Sequence, residues 1–258
     1  MVDFIAPASI DIRTNNVIAS NTVGANGQIA YNTDSNSFIV YDGFTVGGYQ
    51  QVTAEGPPPP SPIGGTNFGY MSGGASPAAV NTIDKFPFAS DTNASDVGNL
   101  TAATSITSGQ SSSTHGYRSG GTPNIDTIDK FSFNSDGDAS DVGELSANRN
   151  ALAGQQSSTN GYASGGFAPG ASNIIDKFPF SSDTNATAIA DLSQARYSCT
   201  GNSSDINGYS CGGNEPTIGD TIDKFSFSAD ENATDVGELS STTGRTAAQS
   251  SDANGYIS

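Results

Sequence analysis

Tryptophan is absent from the 258 residues, histidine occurs once and cysteine twice. Two cysteines are too few for a disulfide scaffold or for a cysteine-rich zinc site. Charged residues make up only 14% of the chain, whereas about 25% is usual in globular proteins. Leucine, isoleucine, valine and phenylalanine together stay below a fifth of the chain, a level that, with high net charge, usually indicates disorder.

Basic residues are also scarce, and 26 acidic against 9 basic side chains give a formal net charge of −17. A chain of this charge repels nucleic-acid phosphates and anionic lipid headgroups, so we expect neither nucleic acid nor a membrane as a partner. No apolar run approaches the ~18 residues of a membrane helix. The sequence has no phosphate-binding loop, no nucleophile elbow and no metal-type spacing of His and Cys, which predicts a protein without enzymatic activity and without a cofactor.

Internal repetition accounts for this composition. The tetrapeptide Ile-Asp-Lys-Phe begins at residues 83, 128, 175 and 222, and the tyrosine of a Gly-Tyr pair lies at 70, 117, 162, 209 and 256. All four lysines and four of the five leucines lie at repeated positions. Only the segment from each tyrosine to the next isoleucine changes in length. The few apolar residues are therefore concentrated where a regular stacked core needs them, which favours a folded repeat protein over disorder.

Each repeat of 45 or 47 residues reads as four short strands, so the sequence predicts an all-β fold. Residues 82–88 alternate, which places Asp84 and Lys85 on opposite faces of one strand. We therefore expect the lysine to meet an acid of the adjacent repeat rather than its neighbouring aspartate. A strand rich in Ser, Thr and Gln precedes Asn160-Gly161, a pair that predicts a two-residue hairpin turn into the Gly-Tyr strand.

The pattern Gly-Tyr-x-Ser-Gly-Gly, followed by a strand, a turn and an Arg-containing lead-in such as Arg149 or Arg196, resembles a kelch-type blade of a β-propeller. The tryptophan of kelch blades is absent here. More narrowly, the units are similar to repeat regions of virion structural proteins of tailed bacteriophages. The resemblance covers residues 67–258 and implies four blades of four strands, which we expect to continue beyond residue 258.

The N-terminal part, residues 1–54, lacks the repeat. Residues 27–43 read as a β-hairpin with a polar turn. This block is similar to short β modules of phage fibres, so the resemblance implies a module that docks to other virion proteins. Residues 55–66 are rich in Pro and Gly and predict a stiff linker. The resemblance thus places the protein in the virion, in a tail fibre or other appendage, and implies a homo-oligomer, since such fibres are commonly trimers.

Acidic turns form the one pattern that suggests a metal. Asp-x-Asn or Asp-x-Asp segments resembling fragments of calcium loops contain Asp91, Asp136, Asp138 and Asp230. These segments lack the downstream glycine and bidentate glutamate of an EF-hand. Asp and Asn side chains that cap their own turns explain the pattern as well. We therefore predict no metal site, with calcium at these four residues as the alternative.

The single histidine and the two cysteines are interpreted as structural. His115 takes the position of Asn160 and so falls in the same predicted turn, without the partners that a catalytic histidine needs. Cys199 and Cys211 are out of register across a turn of that kind, which favours free thiols over a disulfide.

The segments between tyrosine and isoleucine vary most among the repeats, so we expect them to present different side chains on one rim. A cell-surface glycan or a neighbouring virion protein would bind there. The candidate binding residues in these segments are Asn81, Asn124, Asp126, Phe167, Asn173, Asn214 and Glu215. The sequence predicts a non-enzymatic virion structural protein. The alternatives are a carbohydrate-active enzyme, which would need a unique carboxylate pair on one face, and a cellular kelch-type interaction protein.

Overall fold

The computed structural model describes residues 67–75, 77–214, 217–251 and 254–258, together with the backbone of four strands nearer the N-terminus. Every regular element of these described residues is a β-strand, which confirms the predicted all-β fold. The chain divides into two compact units, Met1–Pro58 and Pro59–Ser258. The predicted linker, residues 55–66, and the candidate Glu215 lie outside the described residues.

The N-terminal unit contains one sheet of four short strands in chain order. They are β1 (Arg13–Thr14), β2 (Ile29–Asn32), β3 (Ser37–Tyr41) and β4 (Tyr49–Gln51). β2 and β3 pair antiparallel, from Ile29 opposite Val40 to Asn32 opposite Ser37, which confirms the predicted hairpin. β1 pairs with β2 in parallel, and β4 pairs with β3 antiparallel.

The second unit consists of repeated antiparallel sheets whose strands pair in chain order. Repeat 1 has β5 (Phe68–Ser72), β6 (Val80–Pro87) and β7 (Ser95–Thr104). Repeat 2 has β8 (Ser108–Ser111), β9 (His115–Gly121), β10 (Ile125–Ser132) and β11 (Ser140–Glu144). Repeat 3 has β12 (Ala153–Gln156), β13 (Asn160–Ser164), β14 (Ile174–Pro179) and β15 (Thr187–Asp191). Repeat 4 has β16 (Thr200–Ser203), β17 (Asn207–Cys211), β18 (Thr221–Ser226) and β19 (Thr234–Glu238), and β20 (Ala248–Ser250) with β21 (Gly255–Ile257) forms a C-terminal hairpin.

We call β8, β12, β16 and β20, the first strands of repeats 2 to 4 and of the C-terminal hairpin, the inner strands, and they lie side by side. β12 contacts both β8 and β16, and β20 contacts β16. A glycine at the second position of an inner strand permits this approach, because a Cβ on Gly154 or Gly201 would clash with the main chain of the preceding inner strand. Among the described residues no strand of repeat 1 pairs with repeat 4 or with the C-terminal hairpin, so these residues do not form a closed propeller.

The predicted turn at Asn160-Gly161 is wrong, because both residues belong to β13. The preceding residues make the turn: Ser157 N donates to Asn160 O at 2.9 Å, and Asn160 N donates to Ser157 Oγ at 3.0 Å. Gly161 is needed in the strand because the ring of Phe178 covers it, and a Cβ there would clash with the ring. The same ring-over-glycine contact recurs at Gly69, Gly116 and Gly208.

Both faces of the sheets of repeats 2 and 3 are buried, because each of these two sheets packs between two neighbours. Ile128 and Asp129 are adjacent in β10 and point to opposite faces, yet they are only 1% and 0% exposed. On the face of repeat 2 that lies towards repeat 3, Tyr117 and Ile128 pack against Phe178. The hydrophobic core therefore lies between the repeats rather than within any one of them.

Replacing Gly161 by alanine tests the contact between the glycine and the phenylalanine ring. We expect Gly161→Ala to lower the free energy of unfolding by about 1–3 kcal/mol, because the new methyl group displaces the Phe178 ring from a packed core. Urea denaturation measures the change. Gly170→Ala is the matched control, since a Cβ there meets no atom within 4 Å. Equal stability of the two variants would contradict this account.

Candidate functional site at the loop rim

The lead-in residues before the inner strands form a hydrogen-bonded ladder at one end of the sheets. Ile106, Ala151, Ser198 and Arg245 all hold a left-handed backbone, with φ between 55° and 61°. Ala151 N donates to Ile106 O at 3.0 Å, Ser198 N to Ala151 O at 2.8 Å, and Arg245 N to Ser198 O at 2.9 Å. Residues with a Cβ seldom adopt this conformation, so its recurrence at four equivalent positions indicates that the fold requires it there.

The variable segments begin beside this ladder. Phe167 N donates to Asn150 O at 2.8 Å and Asn150 N donates to Phe167 O at 3.2 Å, which ties the segment to the lead-in of its own repeat. Asn214 and Tyr197 exchange the same two bonds in repeat 4, at 2.8 and 3.1 Å. The segments 122–127 and 167–174, together with the described part of 214–221, therefore lie along one rim of the described repeats.

Three of the candidate binding residues have roles in the sheet. Asn81 belongs to β6 and Asp126 to β10, so these two are strand residues. The main-chain oxygen of Asp126 accepts a hydrogen bond from Leu145 N at 2.7 Å, and that of Asn173 accepts one from Leu192 N at 2.7 Å. Asp126 and Asn173 thus hold the residue that follows the last strand of their repeat.

The remaining described candidates lie on the rim itself. Asn124 is exposed, and its Oδ1 accepts a hydrogen bond from Asn150 Nδ2. The ring of Phe167 packs edge-on against Tyr197, with 5.0 Å between centroids. Asn214 borders a cavity of about 440 Å³, and its Oδ1 is buried without a hydrogen-bond partner among the described residues. The other lining residues of this cavity are Tyr197, Thr217, Ile218, Gly244 and Arg245.

Sequence reasoning missed a set of buried ion pairs between repeats. Arg149 Nη2 pairs with Asp176 Oδ2, and Arg196 Nη2 pairs with Asp223 Oδ2, where both carboxylates are fully buried. Arg149 Nη1 also donates to Gly165 O at 2.6 Å. Each arginine follows the last strand of one repeat and reaches into the next. The recurrence of arginine 47 residues apart was the sequence signal, but its partner was not evident.

The buried aspartate of repeat 2 is neutralised from a different direction. The position of Arg149 is taken by Thr104 in the preceding repeat, and threonine is too short to reach the carboxylate. Arg118 of β9 pairs with Asp129 instead, at 2.5 Å, at a position where repeat 3 has Ala163. Repeat 2 thus carries its arginine at a different position from the one used for repeats 3 and 4, but its buried carboxylate still has a cationic partner. These charges are therefore structural.

The acidic turns bind neighbouring repeats. Lys85 Nζ lies 2.7 Å from Asp136 Oδ1 of the next repeat, which confirms that the lysine meets an acid there. Lys177 pairs in the same way with Asp230, and Asp138 Oδ1 accepts a hydrogen bond from Asn99 N at 2.9 Å. Asp91 is exposed. Among the described residues no group of three or more His, Cys, Asp or Glu is arranged to hold a metal ion.

The histidine and the cysteines occupy structural positions. His115 is the first residue of β9 rather than part of the turn, and its Nδ1 lies 2.8 Å from Thr114 Oγ1. Burial lowers the pKa of His115, with a further contribution from Lys130. Cys199 and Cys211 are free and buried. Burial raises the pKa of both thiols, that of Cys211 to about 12.

No protein-family model matches this chain, and no curated protein matches its sequence. In the part of the chain that the structure describes, no helical segment has the length and apolar character of a transmembrane span. Any account of function therefore depends on the residues and contacts described above.

Transferring the arginine from position 149 to position 163 tests whether either position can neutralise the buried aspartate. We expect Arg149→Thr to lower the free energy of unfolding by about 3–5 kcal/mol, because Asp176 is left buried without a counter-charge. Adding Ala163→Arg reproduces the arrangement of Thr104 and Arg118, so the double variant should regain most of the loss. Urea denaturation of the three proteins measures this, and a double variant less stable than Arg149→Thr alone would contradict the interpretation.

The buried thiols predict a reactivity that appears only on unfolding. With a pKa of about 12, roughly one Cys211 in 10⁴ is a thiolate at pH 8, so a disulfide reagent should not react with the folded chain. Both thiols should react at once in denaturant. The folded state holds these protons more tightly, so stability should fall as pH rises from about 9 towards about 12. Rapid labelling of the native protein at pH 8 would contradict this prediction.

Proposed function

We propose that the protein is a non-enzymatic structural and binding component of a bacteriophage particle, in a tail fibre or other appendage. One observation carries the proposal: the recurring charged groups of the described repeats are used between repeats, whereas the side chains that differ lie on the rim. Lys85, Lys130 and Lys177 each pair with an aspartate of the next repeat. A uniform frame with variable loops is the usual organisation of a binding scaffold.

The rim supplies the chemistry that binding requires. Ile106 and Ile218 are 58% and 54% exposed, and Asn124 and Arg245 are exposed beside them on the same rim. Amide, guanidinium and aliphatic groups in one surface suit a polyhydroxylated ligand or a protein neighbour. We therefore assign the rim to a host-surface glycan or an adjacent virion protein.

The resemblance to phage virion repeats supplies the location, and the N-terminal unit is the part assigned to docking on other virion proteins. A cellular kelch-type interaction protein would use the same rim but would be free in the cell. A carbohydrate-active enzyme would need two carboxylates about 5–9.5 Å apart. Asp126 is the one acid among the described candidates, and it lies in β10 with its main chain engaged by Leu145.

Mass spectrometry of purified particles tests the proposal. We expect peptides of this chain at a fixed ratio to the major capsid protein, because a structural component is present in set copy number. Free cytoplasmic proteins of the same lysate, followed through the same gradient, are the control for contamination. Detection only in the soluble lysate, and not in particles, would overturn the virion assignment.

Incubation of the purified chain with host-surface glycans separates binding from catalysis. Retention of intact glycan on the immobilised chain is the expected result. Release of shorter glycans that is lost in Asp126→Asn would overturn the non-enzymatic assignment, since that variant removes a carboxylate with little change in shape.

A further inference from the structure

The rim of repeat 4 has a cavity at a place where the rim of repeat 3 holds two aromatic rings. In repeat 3, the ring of Phe167 packs edge-on against the ring of Tyr197, with 5.0 Å between centroids. One repeat further along the chain, Asn214 takes the position of Phe167 and Gly244 takes the position of Tyr197. An amide and a hydrogen atom therefore stand in place of two rings, and a cavity of about 440 Å³ lies beside them.

The direction of the side chains is equivalent at the two places. A Cβ on Gly244 would lie 3.0 Å from Asn214 Oδ1. A side chain at position 244 would thus point at the side chain of position 214, as Tyr197 contacts Phe167 in repeat 3. The glycine at position 244 therefore leaves open a space that a ring would fill.

Main-chain hydrogen bonds fix the walls of this cavity. Gly213 N donates to Thr243 O at 2.8 Å, and Thr243 N donates to Gly219 O at 2.9 Å. Asn214 N donates to Tyr197 O at 2.8 Å, and Tyr197 N donates to Asn214 O at 3.1 Å. Because main-chain groups make these bonds, a substitution of a lining side chain should leave the surrounding frame in place.

The lining combines apolar and hydrogen-bonding groups in one small volume. Tyr197 and Ile218 supply apolar surface, and Ile218 is 54% exposed. Arg245 and Thr217 are exposed and supply a guanidinium group and a hydroxyl group. The cavity volume falls within the ~300–1,000 Å³ that is usual for small-molecule sites. A sugar residue matches such a lining, because it carries apolar C–H faces together with hydroxyl groups that both donate and accept hydrogen bonds.

The amide of Asn214 gives a further reason for a polar ligand to bind here. Its Oδ1 is buried and has no hydrogen-bond donor among the described residues. A buried acceptor without a donor costs free energy. The last side-chain torsion of asparagine is soft, so the amide can turn towards the cavity. A ligand hydroxyl group in the cavity would then supply the donor that Oδ1 lacks.

We propose that this cavity binds a single sugar residue of a glycan, with Tyr197 against an apolar face of the sugar and with Asn214 and Arg245 on its hydroxyl groups. The proposal rests on the assignment of the rim to ligand binding, and it selects a glycan rather than a neighbouring virion protein. A protein surface would contact the exposed side chains of the rim, whereas a sugar residue is small enough to enter the concave space beside Asn214.

Filling the cavity with the rings of repeat 3 tests the proposal. The double variant carries Asn214→Phe and Gly244→Tyr. Its melting temperature should stay equal or rise, because the equivalent positions of repeat 3 accommodate Phe167 and Tyr197. Asn214→Ala is a second variant, which removes the amide without filling the space. Asp205→Asn, at an exposed position in the turn at the opposite end of β16, is the control.

Binding is measured with the full chain by surface plasmon resonance on immobilised oligosaccharides that end in a hexose, a deoxyhexose, an N-acetylhexosamine or a uronic acid. The wild type and Asp205→Asn should bind at least one of these oligosaccharides with equal affinity. Asn214→Ala should weaken that binding about three- to tenfold, because one hydrogen bond to the sugar is lost. The double variant should not bind, because its rings exclude the sugar.

Each outcome decides the proposal. Binding that is lost in the double variant at an unchanged or higher melting temperature supports it. Binding that persists in the double variant, or that Asn214→Ala leaves unchanged, overturns this site but leaves the rim assigned to glycans. A wild type that binds none of the oligosaccharides overturns the sugar assignment. The particle assignment is judged separately, by mass spectrometry of purified particles, so the two failures are distinguishable.

Discussion

The stacking of one repeat's tyrosine on the next repeat's phenylalanines is the contact on which the rest of the structure depends. The chain has few large apolar residues, and a single four-stranded sheet has no partner layer of its own. Tyr162 is fully buried, between its own sheet and Phe225 and Phe227 of repeat 4. Stability is therefore a property of pairs of repeats, as in other proteins built from stacked repeats.

Most of the ion pairs of the described repeats also lie at the boundaries between repeats. A chain with a net charge of −17 contains only nine basic residues, and most of those described are used where repeats meet. The buried aspartates bear the strictest requirement, because an unpaired carboxylate in the interior is far more costly than an unpaired one on the surface. That requirement explains why repeat 2, which has Thr104 at the position equivalent to Arg149, carries Arg118 on β9 to pair with its buried aspartate. The exposed Lys–Asp pairs are individually weak, and they serve mainly to fix the alignment of neighbouring sheets.

Much of the fold could be predicted from the sequence, because it depends on local patterns. Alternation indicated the strands, the N-terminal hairpin and the expectation that Lys85 meets an acid of the next repeat. The predicted turn at Asn160-Gly161 was wrong, since the glycine is required by a phenylalanine ring 17 residues away rather than by its neighbours. The partner of Arg149 was missed for the same reason. The variable distance from each tyrosine to the next isoleucine predicted that Asn81 and Asp126 lie in loops. Both lie in strands instead, because β6 and β10 begin before the isoleucine.

The two-way bond between Asn150 and Phe167 has a consequence for how the rim can change. It closes the variable segment at its base, before the segment leaves the sheet, and Ile174 resumes the pairing of β13 with β14 on the other side. Residues inserted between these two points extend outward without shifting the register of either strand. The cost of a longer closed loop grows only with the logarithm of its length. Such a base makes each rim segment an independent insertion site, so new surfaces can be acquired one loop at a time while the frame beneath stays unchanged.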